Sequence, residues 1–486
     1  MQNNKYISLK LKLIIPLFLF TFSVLAQIPN SLYFMKGVPQ IYQINPAFQP
    51  ESNFFIGIPG ISPLQIKLQN SPFALKDVVY YNEEIDSLIT FLHPLGDKQK
   101  FLGLLNETNF ISTEVAMGLI SFGFRAKDLY FTFDVNERIF AQLSYPDDYI
   151  RLPIIGPDSG RQYDFNSFGM DFKALIELAM GVSKKFGDKL TVGIRGKILL
   201  GQANLNTQKF DVAFATGETS WPLHTDISLN TSAPYLADYM KTLALAPLDI
   251  VIGGLDSMEI NTPTVKEITN MALNPKNFGL GFDIGADYIV NDWLQVSASI
   301  IDIGRIGWKS GVVNLSNNAD YTFEGLNYSY DEEEDFFQEF ADSLENTFNQ
   351  FNSTKTKYST WLPAKVYAGA SFYVHPKISF GILSRTDFFN GNVKQQFTVS
   401  ANLYPIRMLS TTFSYSIIDG YYKNLGMGLA LKLLPLSIYV ITDTGASTAM
   451  LWNETRYFNL RFGMNFMFGY KKAKDKVTKC DMPMVD

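Results

Sequence analysis

From Val115 onward, apolar and polar positions alternate over long runs. In 457–470 one face carries Phe458, Leu460, Phe462, Met464, Phe466, Phe468 and Tyr470, and the other Tyr457, Asn459, Arg461, Gly463, Asn465, Met467 and Gly469. Successive side chains of a strand point to opposite faces, so a period of two sorts the residues this way. Residues 278–290 set Phe278, Leu280, Phe282, Ile284, Ala286, Tyr288 and Val290 against Gly279, Gly281, Asp283, Gly285, Asp287 and Ile289. Runs at 129–136, 396–403 and 409–417 repeat the pattern. A soluble sandwich alternates too, but its strands usually have about five or six residues, whereas these reach about ten. The less apolar face is rich in Gly, Ser, Thr and Asn, which suits a curved interior. The apolar face suits lipid, where only a closed sheet leaves no backbone group unpaired. The pattern predicts an all-β, antiparallel transmembrane β-barrel.

Short connections fall at 125–128, 187–188, 291–292, 375–376, 404–405 and 434–435. Longer ones fall at 140–168, 231–276, 304–361, 386–393, 418–424 and 443–455. That is the alternation of short periplasmic turns and long external loops. Two periplasmic termini require one more strand before Val115, and Ile61–Asn70 is the candidate. The count is 14 strands, or 16 if 207–217 and 219–231 form a hairpin within the wall. Ile85, Leu88, Ile89 and Leu92, and in Glu332–Gln350 Phe337, Phe340, Leu344 and Phe348, have helical spacing and predict helices in external loops.

The first 26 residues change the picture of location. Lys5, Lys10 and Lys12 precede an apolar run, Leu13–Leu25, too short to span a bilayer and followed by Ala26-Gln27. This predicts a cleaved secretory signal peptide, 1–26. An N-terminal plug or periplasmic segment is then expected over 27–60, the barrel over 61–470 and a periplasmic tail over 471–486.

Of the 486 residues 47% are hydrophobic and 18% charged, which excludes a disordered chain. The balance of 41 Lys+Arg to 47 Asp+Glu, with no basic stripe, argues against nucleic-acid binding. One cysteine, Cys480, allows no disulfide framework, and three histidines (His93, His224 and His375) make a metal centre unexpected. The run Asp331–Asp335 offers carboxylates for Ca²⁺ but lacks the ligand spacing of an EF-hand loop, and a solvated acidic helix start explains it better. No nucleophile stands beside a His and a carboxylate in sequence, and no GxSxG or Walker A run occurs, so no enzyme activity and no cofactor are expected. Asp134, Glu177, Arg195, Lys197, Asp283, Asp287 and Arg461 fall on the inward face, because charge facing lipid is costly. They imply either a hydrated solute path or a polar network bracing a filled barrel.

The mature N-terminus reads Ser31-Leu32-Tyr33-Phe34-Met35-Lys36-Gly37-Val38-Pro39-Gln40, then Ile44-Asn45-Pro46-Ala47-Phe48. With Phe54–Gly60 and the run 177–193, it resembles an uncharacterised family of outer-membrane β-barrels abundant in Bacteroidota. More distantly it resembles FadL-type fatty-acid transporters and barrels of the type IX secretion system. Those families carry Asn-Pro-Ala in a segment that plugs the barrel, and Asn45, Pro46 and Ala47 stand in the matching place. Asn-Pro is also an ordinary turn signal. The resemblance implies an outer-membrane protein among lipid, passing a small hydrophobic or amphipathic solute through a plugged lumen. The alternative is a barrel subunit of a secretion, motility or surface-assembly complex, with protein partners at the external loops.

Overall fold

The computed structural model describes residues 29–470 except 159, 218–219, 235–273, 324–350, 390–391, 419, 445–451 and 455. The leader, the Asp331–Asp335 run, the Glu332–Gln350 stretch and the tail with Cys480 lie outside the described residues.

The wall begins at Ser52, not at residue 61. Its first stave is two strands, β1 (Ser52–Gly57) and β2 (Leu64–Asn70), and both pair with the same neighbours on either side. Between this stave and the next, β3 (Val79–Asn82) and β4 (Ser87–Thr90) form a small separate hairpin. The helix expected around Ile85–Leu92 is therefore a strand. Asp86 turns the chain at φ 49°, a left-handed conformation that a short polar side chain tolerates, and Leu88 points outward while Ile89 is buried.

The wall continues through β5 (Thr108–Ala126) and β6 (Leu129–Pro146). β7 (Gln162–Asp164) is a short loop strand, and β8 (Gly169–Phe186) and β9 (Leu190–Ala215) resume the wall. β9 is long enough to belong to two sheets. Its first half pairs with β11 (Phe278–Asn291), whereas its second half leaves the circle and pairs with β10 (Trp221–Ser232). β12 (Leu294–Trp308) follows in the wall. β13 (Val312–Phe323) and β14 (Asn352–Thr354) extend the outer sheet from β10. The 207–231 hairpin therefore adds nothing to the circle.

β15 (Tyr358–Trp361) and β16 (Ala364–His375) share one stave against β12. The wall then runs through β17 (Ile378–Phe389), β18 (Asn392–Ile406), β19 (Leu409–Ile418), β20 (Tyr421–Leu433) and β21 (Leu436–Thr442) to β22 (Tyr457–Tyr470). β22 pairs with the first stave, so the barrel closes with 14 strands. The β18–β19 turn falls at Arg407-Met408 rather than at Tyr404-Pro405, which lie in an irregular end of β18. At the loop end, Phe389 pairs with Asn392 and Ile418 with Tyr421, so strand occupies much of the connections expected at 386–393 and 418–424. Loop helices do occur, at Lys98–Leu102 and Asp147–Ile155.

The two faces separate as the alternation predicts. Phe278, Leu280, Phe282, Ile284, Tyr288, Phe397, Val399, Phe413, Phe466 and Phe468 are exposed on the outside, while Asp283, Gln396, Thr398, Ser414 and Asn465 are buried inside. Tryptophans mark both edges of the apolar belt. Trp293 in the β11–β12 turn stacks on Phe372, and Trp361 at the loop end lies beside Arg305. Between these levels a tilted strand climbs about 30 Å at ~3.3 Å per residue, the height of a hydrocarbon core. This is an outer-membrane β-barrel. No described helix is long and apolar enough to cross a membrane.

Candidate functional site in the lumen

A wall of this many strands encloses more space than its own side chains fill. The N-terminal segment, from Pro29 to Pro50, occupies that space, and nearly all of its residues are buried. Prolines 29, 39, 46 and 50 keep it from forming long helix or strand, leaving two short 3₁₀ turns, Asn30–Phe34 and Pro39–Gln43.

Side chains tie the segment to staves on all sides. Asp443 accepts from the backbone N–H groups of Asn30 (2.6 Å) and Ser31 (3.0 Å), and Ser31 Oγ lies 2.7 Å from Ser414 Oγ. Tyr33 Oη lies 2.9 Å from Ser297 Oγ, and Lys36 donates to Gln295 at 2.7 Å. Tyr42 donates to Asp134 at 2.7 Å. The apolar side chains Leu32, Tyr33, Phe34, Met35, Val38 and Ile44 pack on Ile301, Tyr367, Leu383, Tyr439 and Ile441 of the wall.

Inward glycines make the seats. A Cβ on Gly369 would strike the Tyr33 ring, one on Gly381 the Phe34 ring, and one on Gly428 the Met35 sulfur. These inward glycines therefore face the N-terminal segment, whereas Gly181, Gly426 and Gly463 lie against side chains of the wall. Gly193 and Gly285 are direct cross-strand partners on β9 and β11, and together they form a notch. Asn45-Pro46-Ala47 sits in it: a Cβ on Gly285 would overlap Asn45 Oδ1, and one on Gly193 the Pro46 carbonyl. Asn45 Nδ2 donates to the Ala286 and Ala298 carbonyls, at 3.2 and 3.3 Å, while its Oδ1 accepts from Ala47 N at 3.0 Å. Asn45 thus folds a local turn and binds two staves at once.

Toward the loop end from this segment lies a layer of buried charge. Arg195 bridges Asp134 (2.6 Å) and Asp283 (3.0 Å), and Lys197 contacts Asp283 (2.7 Å), Asp302 (2.6 Å) and Glu177 (3.7 Å). Arg138 binds Glu177 at 2.6 Å and makes a two-pronged contact with Asp302 at 2.8 and 2.9 Å. Lys365 reaches Glu114 (3.3 Å) and Asp302 (3.4 Å). Five of the seven expected inward charges meet here. Arg461 joins only through Gln43, which accepts from Arg461 at 2.5 Å and donates to Asp134 at 3.1 Å. Asp287 stands apart, bound by Gln295 at 2.7 Å.

Glu114, Arg138, Asp302 and Lys365 are members that the sequence pattern did not yield. Asp302 sits at φ 63° on a stretch where the β11–β12 register slips, so both Ile301 and Asp302 point inward. Strict alternation would have aimed Asp302 at lipid. A carboxylate at a lipid-facing position is itself the signal of a bulge.

Beyond the charged layer the lining turns apolar again. Leu199 follows Lys197, Phe140 follows Arg138 and Trp308 follows Asp302, each on the loop side, and they cluster with Leu175, Ile306 and Leu362. A larger cluster, including Tyr145, Phe168, Phe210, Phe214 and Ile227, joins the outer sheet to the loop ends of β6 and β8. On that sheet's exposed face, Asp320 at 2.7 Å raises the pKa of His224 through their hydrogen bond. His93 Nδ1 and His375 Nδ1 accept from backbone N–H groups in their own turns. Among the described residues no group of three or more His, Cys, Asp or Glu could hold a metal ion.

No curated protein matches the sequence. Similar solved structures include a Pseudomonas aeruginosa FadL homologue, at 11% identity over 92% of this chain and 99% of that one, with a TM-score of 0.40. The Ralstonia pickettii toluene transporter TbuX is similar at 8% identity over 89% and 94%, with a TM-score of 0.39. The Pseudomonas putida toluene transporter TodX is similar at 8% over 91% and 97%, with a TM-score of 0.35. Residues 46–443, from the notch motif through to Asp443, match the profile of a family of unknown function (DUF5723), and the chain belongs to that family.

Proposed function

We propose that this barrel passes a small hydrophobic or amphipathic solute across the outer membrane by passive transport, and that residues 29–50 act as the plug of its lumen. The observation that carries the reading is how the segment is held. It contributes no strand to the wall. Hydrogen bonds and glycine seats hold it, and water or a solute can replace these contacts one at a time without opening the sheet. On the loop side the lining is apolar, so an apolar solute that parts these side chains meets them before the charged layer. The charged layer then favours a solute that carries some polarity, because its paired ions stay hydrogen-bonded only beside polar atoms.

The test is uptake of the hydrophobic fluorophore N-phenylnaphthylamine by cells with an otherwise intact outer membrane, with and without this protein. Faster uptake with the protein is expected. Equal rates, with the folded barrel present in the outer membrane, would overturn transport. The outer sheet of β9, β10, β13 and β14, which projects past the wall, would then favour the rival reading of a membrane-anchored subunit.

A further inference from the structure

A pocket of about 320 Å³ opens at the loop-end mouth of the barrel, between the first stave and the β19–β20 connection. That volume is at the small end of ligand pockets. Its lining mixes amides and hydroxyls (Gln69, Asn70, Thr108) with the rings of Phe110, Tyr421 and Tyr457, and Arg456 stands at its side. It lies apart from the apolar clusters of the lumen, and its polar lining differs from theirs.

Two cations here lack an acidic partner among the described residues. Arg456 donates only to the Ser71 carbonyl, at 3.4 Å, and lies 5.9 Å from the Tyr421 ring. Lys67 is one strand step inside Gln69 on the same face, only 8% exposed, and its ammonium has no hydrogen bond or ion pair to a described residue. It lies 5.9 Å from the face of Tyr457, the same ring that lines the pocket. The carboxylates beside it are engaged elsewhere: Glu114 with Lys365 and Arg138, and Asp387 with Arg385 at 2.7 Å. Lys394, at the same level, stacks on Phe110 and is not one of these two cations. A buried ammonium without a counter-ion is costly unless an anion completes it.

We infer that this mouth pocket binds an acidic monosaccharide, a small sugar bearing one carboxylate. Arg456, in the lining, takes the carboxylate, since charge-assisted hydrogen bonds are the strong ones, and Lys67, outside the lining and beside the Tyr457 ring, adds positive potential. The tyrosine rings offer flat apolar faces to the C–H side of a sugar ring, and the amides and hydroxyls exchange hydrogen bonds with its hydroxyl groups. The inference goes beyond transport: it concerns equilibrium binding at the mouth and holds or fails whether or not anything passes through the lumen.

The test is calorimetric titration of the full chain in nanodiscs with glucuronate, glucose and decanoate. Saturable binding of glucuronate, with glucose and decanoate at least about tenfold weaker, is expected. Arg456→Gln and Lys67→Met should each weaken glucuronate about tenfold while the barrel keeps its heat-modifiable shift on gels. If Lys67→Met does not fold, the exposed-side Arg456→Gln decides alone. Absence of saturable glucuronate binding, equal affinity for glucose, tighter binding of decanoate, or unchanged affinity in Arg456→Gln would overturn the inference.

Discussion

Replacing Gly285 by leucine should open the lumen while leaving the wall closed. The Gly285 Cβ position is already taken by Asn45 Oδ1, with Pro46 Cδ at 3.0 Å, so an isobutyl group there cannot coexist with the Asn45-Pro46-Ala47 turn. The wall itself has no such conflict, because Gly285 lies in regular pairing with Gly193 and Ser299 and shows no left-handed backbone. Overpacking of this kind costs about 1–3 kcal/mol, which shifts the ratio of displaced to seated segment by roughly 5- to 150-fold. Single-channel recordings in planar bilayers should show frequent open events in Gly285→Leu that are rare in the wild type. Gly196→Leu is the matched control, since a Cβ at that outward-facing glycine meets nothing. Equal open frequency in Gly285→Leu, Gly196→Leu and wild type would remove the glycine notch from the account.

The second large effect concerns stability. Asp302 is the hub at which Arg138, Lys197 and Lys365 converge, and its own N–H donates to Asp283 at 2.7 Å. Asp302→Ala leaves three buried cations sharing what remains of Glu114, Glu177 and Asp283. It also places alanine at a left-handed position that aspartate and asparagine tolerate better. Breaking a buried ion pair by removing one partner typically costs about 3–5 kcal/mol. Urea unfolding in detergent micelles should show a loss of that order for Asp302→Ala. Asp302→Asn should lose less, because it keeps the backbone preference and a hydrogen-bonding side chain. A loss within about 0.5 kcal/mol for Asp302→Ala would mean that the layer is hydrated and that water replaces the carboxylate.

The wall was readable from sequence because lipid and lumen enforce opposite chemistry on alternate residues. Phe458 to Phe468 and Phe278 to Val290 therefore announce their faces without reference to any contact. The resemblance pointed to Asn45-Pro46-Ala47, but not to its seat, because Gly193 and Gly285 are far apart in sequence and become a notch only through strand register. The charged layer was half legible. Arg195, Lys197, Asp134, Glu177 and Asp283 obey the alternation, whereas Asp302 is hidden by the bulge that turns it inward. Arg138 and Glu114 were missed because β5 and β6 run further toward the loop end than the alternating runs suggested. The Ile85–Leu92 segment shows the limit of periodicity in short stretches: four apolar residues at helical spacing fit a strand and its turn equally well. The 207–231 hairpin was ambiguous because outer-sheet strands and wall strands share one alternation, and only the long β9 reveals that both sheets can use one strand.

On the proposed function, the segment must leave its seat for solute to pass. Ser31 Oγ and Ser414 Oγ lie 2.7 Å apart, on the segment and on the wall, so a cysteine pair at these positions can tether one to the other. In a Cys480→Ser background, Ser31→Cys/Ser414→Cys should give fluorophore uptake no faster than cells without the protein when oxidised, and wild-type uptake after reduction. The same fast uptake in the oxidised and reduced states, with the disulfide shown to be formed, would contradict the account.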